Sequence, residues 1–385
     1  MAHAPVYLDY HATTPVDPRV LEVMLPYFTQ AFGNPASASH AWGWKAQEAV
    51  EKARREVASL IGATAREIVF TSGATESNNL AIRGVADLAT TTRRHIVVSA
   101  IEHKSVIEAA RRLEATGWRC TIVPVRPDGI VDLEALAGMV TDDTALVSVM
   151  TANNEIGVIQ PIDEVVRIAH AAGALVHTDA AQAAGKIPID VHALGVDLLS
   201  LTGHKMYGPK GCGALFIRKR TELVPLICGG GQERGIRSGT LNVPGIVGLG
   251  AACATCQREM AEEAGRMARL RDRLLEGLRS RIEGVSVNGC LDRRLPHNLH
   301  VSFAGVDGGD LVIGISDIAV SSGSACSSAS ATPSHVLRAI HGDAGPDAAS
   351  IRFGLGRFTT DEDIDYAIER FATVVGHLQS QATAR

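Results

Sequence analysis

The chain has 385 residues, a formal charge of −5 and only 4% aromatic residues. That length holds two or three domains of about 150 residues each, and a mild charge without any Lys/Arg block argues against direct nucleic-acid binding. No apolar run nears the roughly 20 residues that span a bilayer, and MAHAPVYLDY has neither the basic nor the long apolar region of a signal peptide, so no membrane contact and a cytoplasmic location are expected.

Taken in chain order, AWGWKAQEAVEKARREVASLIGA reads as an amphipathic helix closed by Gly62. Between about Glu67 and Arg218, the β-branched runs REIVF, HIVVSA, RCTIVPV, TALVSVM, GALVHTD, VDLLSLT and CGALFI alternate with helical stretches. This is the pattern of a largely parallel α/β sheet covered on both faces. GIVGLGAACATCQREM and the charged helical stretch EEAGRMARLRDRLLEGLRSRI lead away from it. From Val285 onward, VSVNG, NLHVSF, IAVSSG and SIRFGL with two further helices predict a smaller α+β domain. The last helix, DEDIDYAIERFATVVGHL, opens with acidic residues at its positive end, and QSQATAR after it reads as frayed. The expected division is a large cofactor-binding domain over 14–258 and a small domain made of 1–13 with 259–385.

Seven scattered cysteines, an odd number, do not make a disulfide framework. Cys253 and Cys256 read as two small core residues on one helical face, Cys120 as strand core, and Cys228, opening CGGGQ, as a weaker candidate for reactivity than Cys326. The neighbours of Cys326 in VSSGSACSSAS are Ser, Ala and Gly, which neither bury a thiol nor pin it.

Ligands of an open parallel sheet bind beyond the carboxyl ends of its strands, so the residues that follow each strand carry the functional reading. EIVF runs into TSGATESNN, small residues turning into a helix whose free N–H groups suit a phosphate. His103 follows HIVVSA, the amides of TANNEIG follow TALVSVM, Asp179 ends GALVHTD with Gln182 close behind, and GHKMYGPKG sets His204 and Lys205 between glycines after VDLLSLT. A phosphate cradle, an imidazole, a carboxylate and a glycine-flanked lysine are the requirements of pyridoxal 5′-phosphate. Lys205 is preferred to Lys210 for the Schiff base because it follows the strand directly.

Over nearly the whole length, from YLDYHATTPVDPRV to LGRFTTDEDIDYAIERF, the chain resembles the NifS-like cysteine desulfurases of the class V aminotransferase family, through FTSGATESNN, IEHKSV, NNEIGV, HTDAAQ, TGHKMYGPKG, QERGIRSGTLN and SSGSACSSAS in that order. The resemblance implies a fold of the aspartate aminotransferase type and a homodimer. It also implies that Ala74, Thr75, Thr202 and His204 hold the phosphate, with Thr240 reaching it from the other subunit. By the same resemblance Asn154, rather than Asn153, and Gln182 contact the ring oxygen, His103 stacks on the ring and moves protons, Asp179 binds the pyridinium nitrogen, and Lys205 carries the coenzyme. Arg352, with Asn34 assisting, would bind the carboxylate of L-cysteine. Cys326 would take its sulfur as a persulfide, leaving L-alanine, and pass it to an acceptor protein such as an iron–sulfur scaffold or to tRNA or DNA thiolation.

The SSGSAC-type loop resembles that of the family's first group. Two departures stand out: the chain ends soon after the last helix, without the extension that docks the scaffold protein, and RFGLG replaces the usual R-x-S-L-G. The competing readings are a selenocysteine lyase, an aminotransferase with no use for Cys326, a cysteine hydrolase that leaves Asp179 and Lys205 unexplained, and a silent sulfur-relay adaptor that would have lost its lysine or cysteine.

Overall fold

The computed structural model describes residues 5–88, 93–322, 334–342 and 348–383. After the short β1 (Val6–Tyr7), all seven expected strands between Glu67 and Arg218 join one sheet: β2 (Ile68–Thr71), β3 (His95–Ser99), β4 (Arg119–Val123), β5 (Thr144–Ser148), β6 (Leu175–Asp179), β7 (Leu198–Thr202) and β8 (Gly213–Ile217). Their order is β2-β8-β7-β6-β5-β3-β4. β3 to β7 run parallel, whereas β8 is antiparallel to both β7 and β2. The reversal follows from the link: the residues between β7 and β8 contain only a short 3₁₀ turn, Gly203–Lys205, and a parallel crossover needs a dozen or more residues, usually with a helix. Every residue of β3, β5, β7 and β8 is buried, as the near-continuous apolar runs of a sheet covered on both faces require.

The second sheet is antiparallel, in the order β12 (Ser321–Ser322), β13 (Ala348–Gly354), β10 (Asn298–Ala304), β9 (Val285–Val287). The single strand expected over IAVSSG is in fact two. β11 (Ile318–Ala319) pairs in parallel with β1, and β12 turns to pair with β13. The helix Ala41–Leu60 forms as expected, and Gly62 beyond it has a φ of +69°, a left-handed conformation that favours glycine. The final helix runs Asp361–Thr383, so its regular structure extends into the stretch expected to fray.

One helix, Val243–Arg281, continues across position 258, where the sequence suggests a boundary. Its first part, with Val243, Ile246, Leu249, Cys253 and Cys256, belongs to the apolar core around the large sheet. Its last part, with Met267, Leu270, Leu274, Leu275 and Leu278, belongs to the core around the second sheet. The two cysteines are thus core residues on one face, while Cys120 is half-buried on the edge strand β4 and Cys228 is exposed. No helix among the described residues is long and apolar enough to cross a membrane.

Candidate active site

The carboxyl ends of the parallel strands open into a pocket of about 800 Å³, closed on its far side by Arg352 of β13 and by Asp9, His11 and Ser321. Ala74, Thr75, His103, Asn154, Asp179, Gln182, Thr202, His204 and Lys205 all line it, as does Lys210. Ala74 begins the helix Ala74–Leu88, whose first-turn N–H groups lack carbonyl partners within the helix and give that rim a positive end. Close backbone approach shapes the same rim: a Cβ on Gly213 would lie 2.6 Å from Gly73 Cα, so glycine is required there.

β6 and β7 are parallel neighbours with Asp179 opposite Ser200, so Asp179 and Lys205, in the turn after β7, leave adjacent strand ends. Lys205 Nζ donates to the backbone carbonyls of His11 and Ala12, the latter at 2.7 Å. The buried Asp179 carboxylate accepts from the Ala181 N–H at 2.8 Å and from Asn78 Nδ2 at 2.7 Å. Asn78 Nδ2 also donates to Ser105 Oγ at 2.8 Å, and that hydroxyl lies 2.8 Å from His103 Nδ1. The Ser105 N–H donates to the same ring nitrogen at 3.2 Å, so His103 caps the helix Lys104–Arg112. Burial, with Lys205 nearby, lowers the His103 pKa against the opposing pull of Asp179. His204 is pushed down to about 4 by burial and then by Lys205 and Lys210.

Arg352 is buried and already engaged. It donates to Asp9 Oδ1 and Ser321 Oγ, each at 2.8 Å, and to the Asn154 carbonyl at 2.9 Å, while its Nε has no partner among the described residues. Of the two adjacent amides, Asn153 is buried and committed to the Ile101 carbonyl and to the N–H groups of Glu155 and Ile156, whereas Asn154 lines the pocket.

Asn34 and Thr240 are exposed and do not line the pocket of this chain, and Asn34 Oδ1 accepts from the Ala36 N–H at 2.9 Å. Cys326 lies outside the described residues. Sequence reasoning missed Asp9, His11, Asn78 and Ser321. A hint for His11 and Asp9 lay in LDYHATT, a run of polar residues directly after an apolar one, but nothing local pairs them with residues more than 170 positions away.

The Aminotransferase class-V profile matches residues 6–367. "Cysteine desulfurase IscS" of Rickettsia bellii (strain OSU 85-389) is 53% identical over 377 residues, covering 97% of this chain and 92% of the relative. A solved NifS-like protein superposes with a TM-score of 0.90 at 42% identity, covering 97% of this chain and 100% of that one. The structure "SspA in complex with cysteine" superposes with a TM-score of 0.81 at 38% identity, covering 92% of this chain and 100% of its own.

Proposed function

The chain belongs to the class-V aminotransferase family, and we infer that it is a cysteine desulfurase, which converts L-cysteine to L-alanine and hands the sulfur to a thiol of its own. The observation that carries this reading is the convergence of Lys205 and Asp179, from adjacent strand ends, with Arg352, from the second sheet, on one pocket of about 800 Å³. The residues fit pyridoxal 5′-phosphate: a helix N-terminus with a glycine approach for the phosphate, a buried carboxylate for the pyridine nitrogen, and a lysine beyond the adjacent strand end. When bound, that coenzyme supplies an electron sink that lets bonds at Cα and Cβ of an amino acid break.

Ala74, Thr75, Thr202 and His204 would hold the phosphate, with Thr240 added from the second subunit of a homodimer. Asp179, fixed by Asn78 and Ala181, would receive the ring nitrogen. Asn154 and Gln182 would serve the ring oxygen, and His103 would stack on the ring. Lys205 would anchor the coenzyme through its amine and would hold and return the proton at the substrate Cα. Arg352 would bind the substrate carboxylate, exchanging part of its present bonding to Asp9 and Ser321 for it.

Cys326 takes the sulfur. Its thiolate forms a bond to the substrate sulfur as the Cβ–S bond breaks, and the electron pair of that bond stays with Cβ, which gains a proton. Sulfur is oxidised and Cβ reduced in the same exchange, so no outside oxidant enters. An ordinary thiol with a pKa near 8.5 is only a few per cent ionised at neutral pH, so His103 assists its deprotonation. A cytoplasmic sulfur-acceptor protein, such as an iron–sulfur scaffold, then receives the persulfide sulfur.

The test is single-turnover mass spectrometry of protein loaded with pyridoxal phosphate and mixed with L-cysteine. Alanine should appear in step with one added sulfur atom on Cys326. Alanine without sulfur at Cys326 refutes the role of that thiol, and no alanine refutes the activity.

A further inference from the structure

We propose that His11 is a positioning residue that fixes which end of the Gln182 amide faces the pocket, its own polarity being set by Arg294 through Asn298. The proposal rests on the reading of the pocket as a coenzyme site. It deepens that reading by assigning a role to a residue that no step above uses.

The chain of hydrogen bonds can be oriented from one end. A guanidinium only donates, and Arg294 Nη1 lies 2.8 Å from Asn298 Oδ1, which identifies that atom as the amide oxygen. The Asn298 amide nitrogen must then donate twice, once to the Glu155 carbonyl at 3.0 Å and once to His11 Nε2 at 3.0 Å. His11 Nε2 is therefore an acceptor, and a neutral ring carries its hydrogen on Nδ1, which donates to Gln182 Oε1 at 2.8 Å. With its oxygen turned to His11, Gln182 spends one amide hydrogen on the His11 carbonyl at 3.1 Å. The other hydrogen is left as a donor on a side chain that lines the pocket.

The order is set from inside the fold, because Arg294 and Asn298, where it originates, are buried and do not line the pocket. The ring also stays uncharged. Burial and the cations Arg352, Lys205 and Lys186 hold the His11 pKa well below the usual imidazole range, and a second ring hydrogen would point at the Asn298 amide donor. His11 stacks on His297 with ring centroids 4.3 Å apart, which fixes its plane.

The consequence is electronic. A Gln182 presented as a donor stabilises negative charge on the ring oxygen of the coenzyme, whereas a flipped amide would offer a carbonyl and repel it.

Two measurements test the proposal. The first uses cofactor-free protein labelled with ¹⁵N-histidine, with the His11 signals assigned by their loss in His11→Phe. The Nδ1-protonated neutral tautomer is expected to persist from about pH 6 to about pH 8, a window in which an unperturbed histidine titrates. The Nε2-protonated tautomer, or titration in that window, would overturn the proposal without touching the coenzyme reading.

The second follows the visible band of bound coenzyme against pH in wild type, His11→Phe, Gln182→Leu and the double variant. Loss of a donor to the anionic form raises the midpoint, so each single variant should shift it upward by about one pH unit. The double variant should shift no further than either. An unmoved midpoint in His11→Phe, or additive shifts, would show that His11 does not act through Gln182. Wild-type protein with no band at all would sink the coenzyme reading together with the proposal, and is told apart by that absence.

Discussion

Asn78 holds Asp179 from the side: its amide nitrogen lies 2.7 Å from Asp179 Oδ2 and 2.8 Å from Ser105 Oγ, while its own oxygen is buried without a partner among the described residues. The contact at Asp179 identifies the nitrogen, since a carboxylate there only accepts. One buried amide thus joins the Asp179 carboxylate to the serine that supports His103.

Replacing Asn78 by Ala removes a hydrogen bond to a charged group, which is worth about 1.5–3 kcal/mol. Affinity for pyridoxal phosphate should fall about tenfold or more, measured by fluorescence titration of the cofactor-free protein. Unchanged affinity would mean that Ala181 alone fixes Asp179.

Lys205 and Lys210 both line the pocket, but only Lys205 is seen to reach the carbonyls of His11 and Ala12. Borohydride reduction of the coenzyme-loaded protein, followed by digestion and mass spectrometry, should find the label on the peptide containing Lys205. Lys210→Ala should still be labelled and Lys205→Ala should not. Label on Lys210 in the wild type would reverse the assignment.

Arg352 already gives hydrogen bonds to Asp9, Ser321 and Asn154, an arrangement that a fork of planar donors can satisfy and an ammonium cannot. Arg352→Lys should raise KM for L-cysteine roughly 30-fold, the equivalent of about 2 kcal/mol. Coenzyme absorption should stay intact. Steady-state kinetics over a range of cysteine concentrations separate this from a loss confined to kcat.

Glu102 is fully buried, accepts from the Met150 N–H through one oxygen, and leaves the other without a partner among the described residues. Burial, and then the charge of Asp179, raise its pKa well above the ordinary range. The folded protein therefore keeps this proton where the unfolded chain has lost it, and the stability contributed by Glu102 falls as pH rises from about 4.3 towards the folded value. Glu102→Gln should match wild type in Tm near about pH 4 and exceed it progressively as pH rises. A difference independent of pH would contradict the buried-acid assignment.

What the sequence disclosed was whatever repeats locally. Each strand of the large sheet is a contiguous apolar run, and each pocket residue lies at the strand end or within a few residues beyond it, so Asp179 and Lys205 were legible together once a parallel αβ unit was recognised. The reversal of β8 was readable too, in the absence of any helical stretch between Thr202 and Cys212, yet the alternation pattern overrode it. Asn78, His11, Asp9 and Ser321 were not legible, because their roles exist only in pairs: Asn78 with Asp179, His11 with Gln182 and Asn298, Asp9 with Arg352 and Ser321. A small polar residue near a turn has a local explanation of its own, and nothing in its neighbours names a partner that only the closed fold supplies.

The helix Val243–Arg281 has 39 residues, and at 1.5 Å per residue it is a beam about 58 Å long. Its two ends are mortised into different cores. No loop divides them there, so melting either half strips apolar cover from the other, and heat or denaturant should take the chain apart in a single cooperative step rather than piece by piece. The wall that carries Arg352 and the floor that carries Lys205 consequently share one fate: damage far from the chemistry, anywhere along that beam, is felt on both sides of the pocket at once.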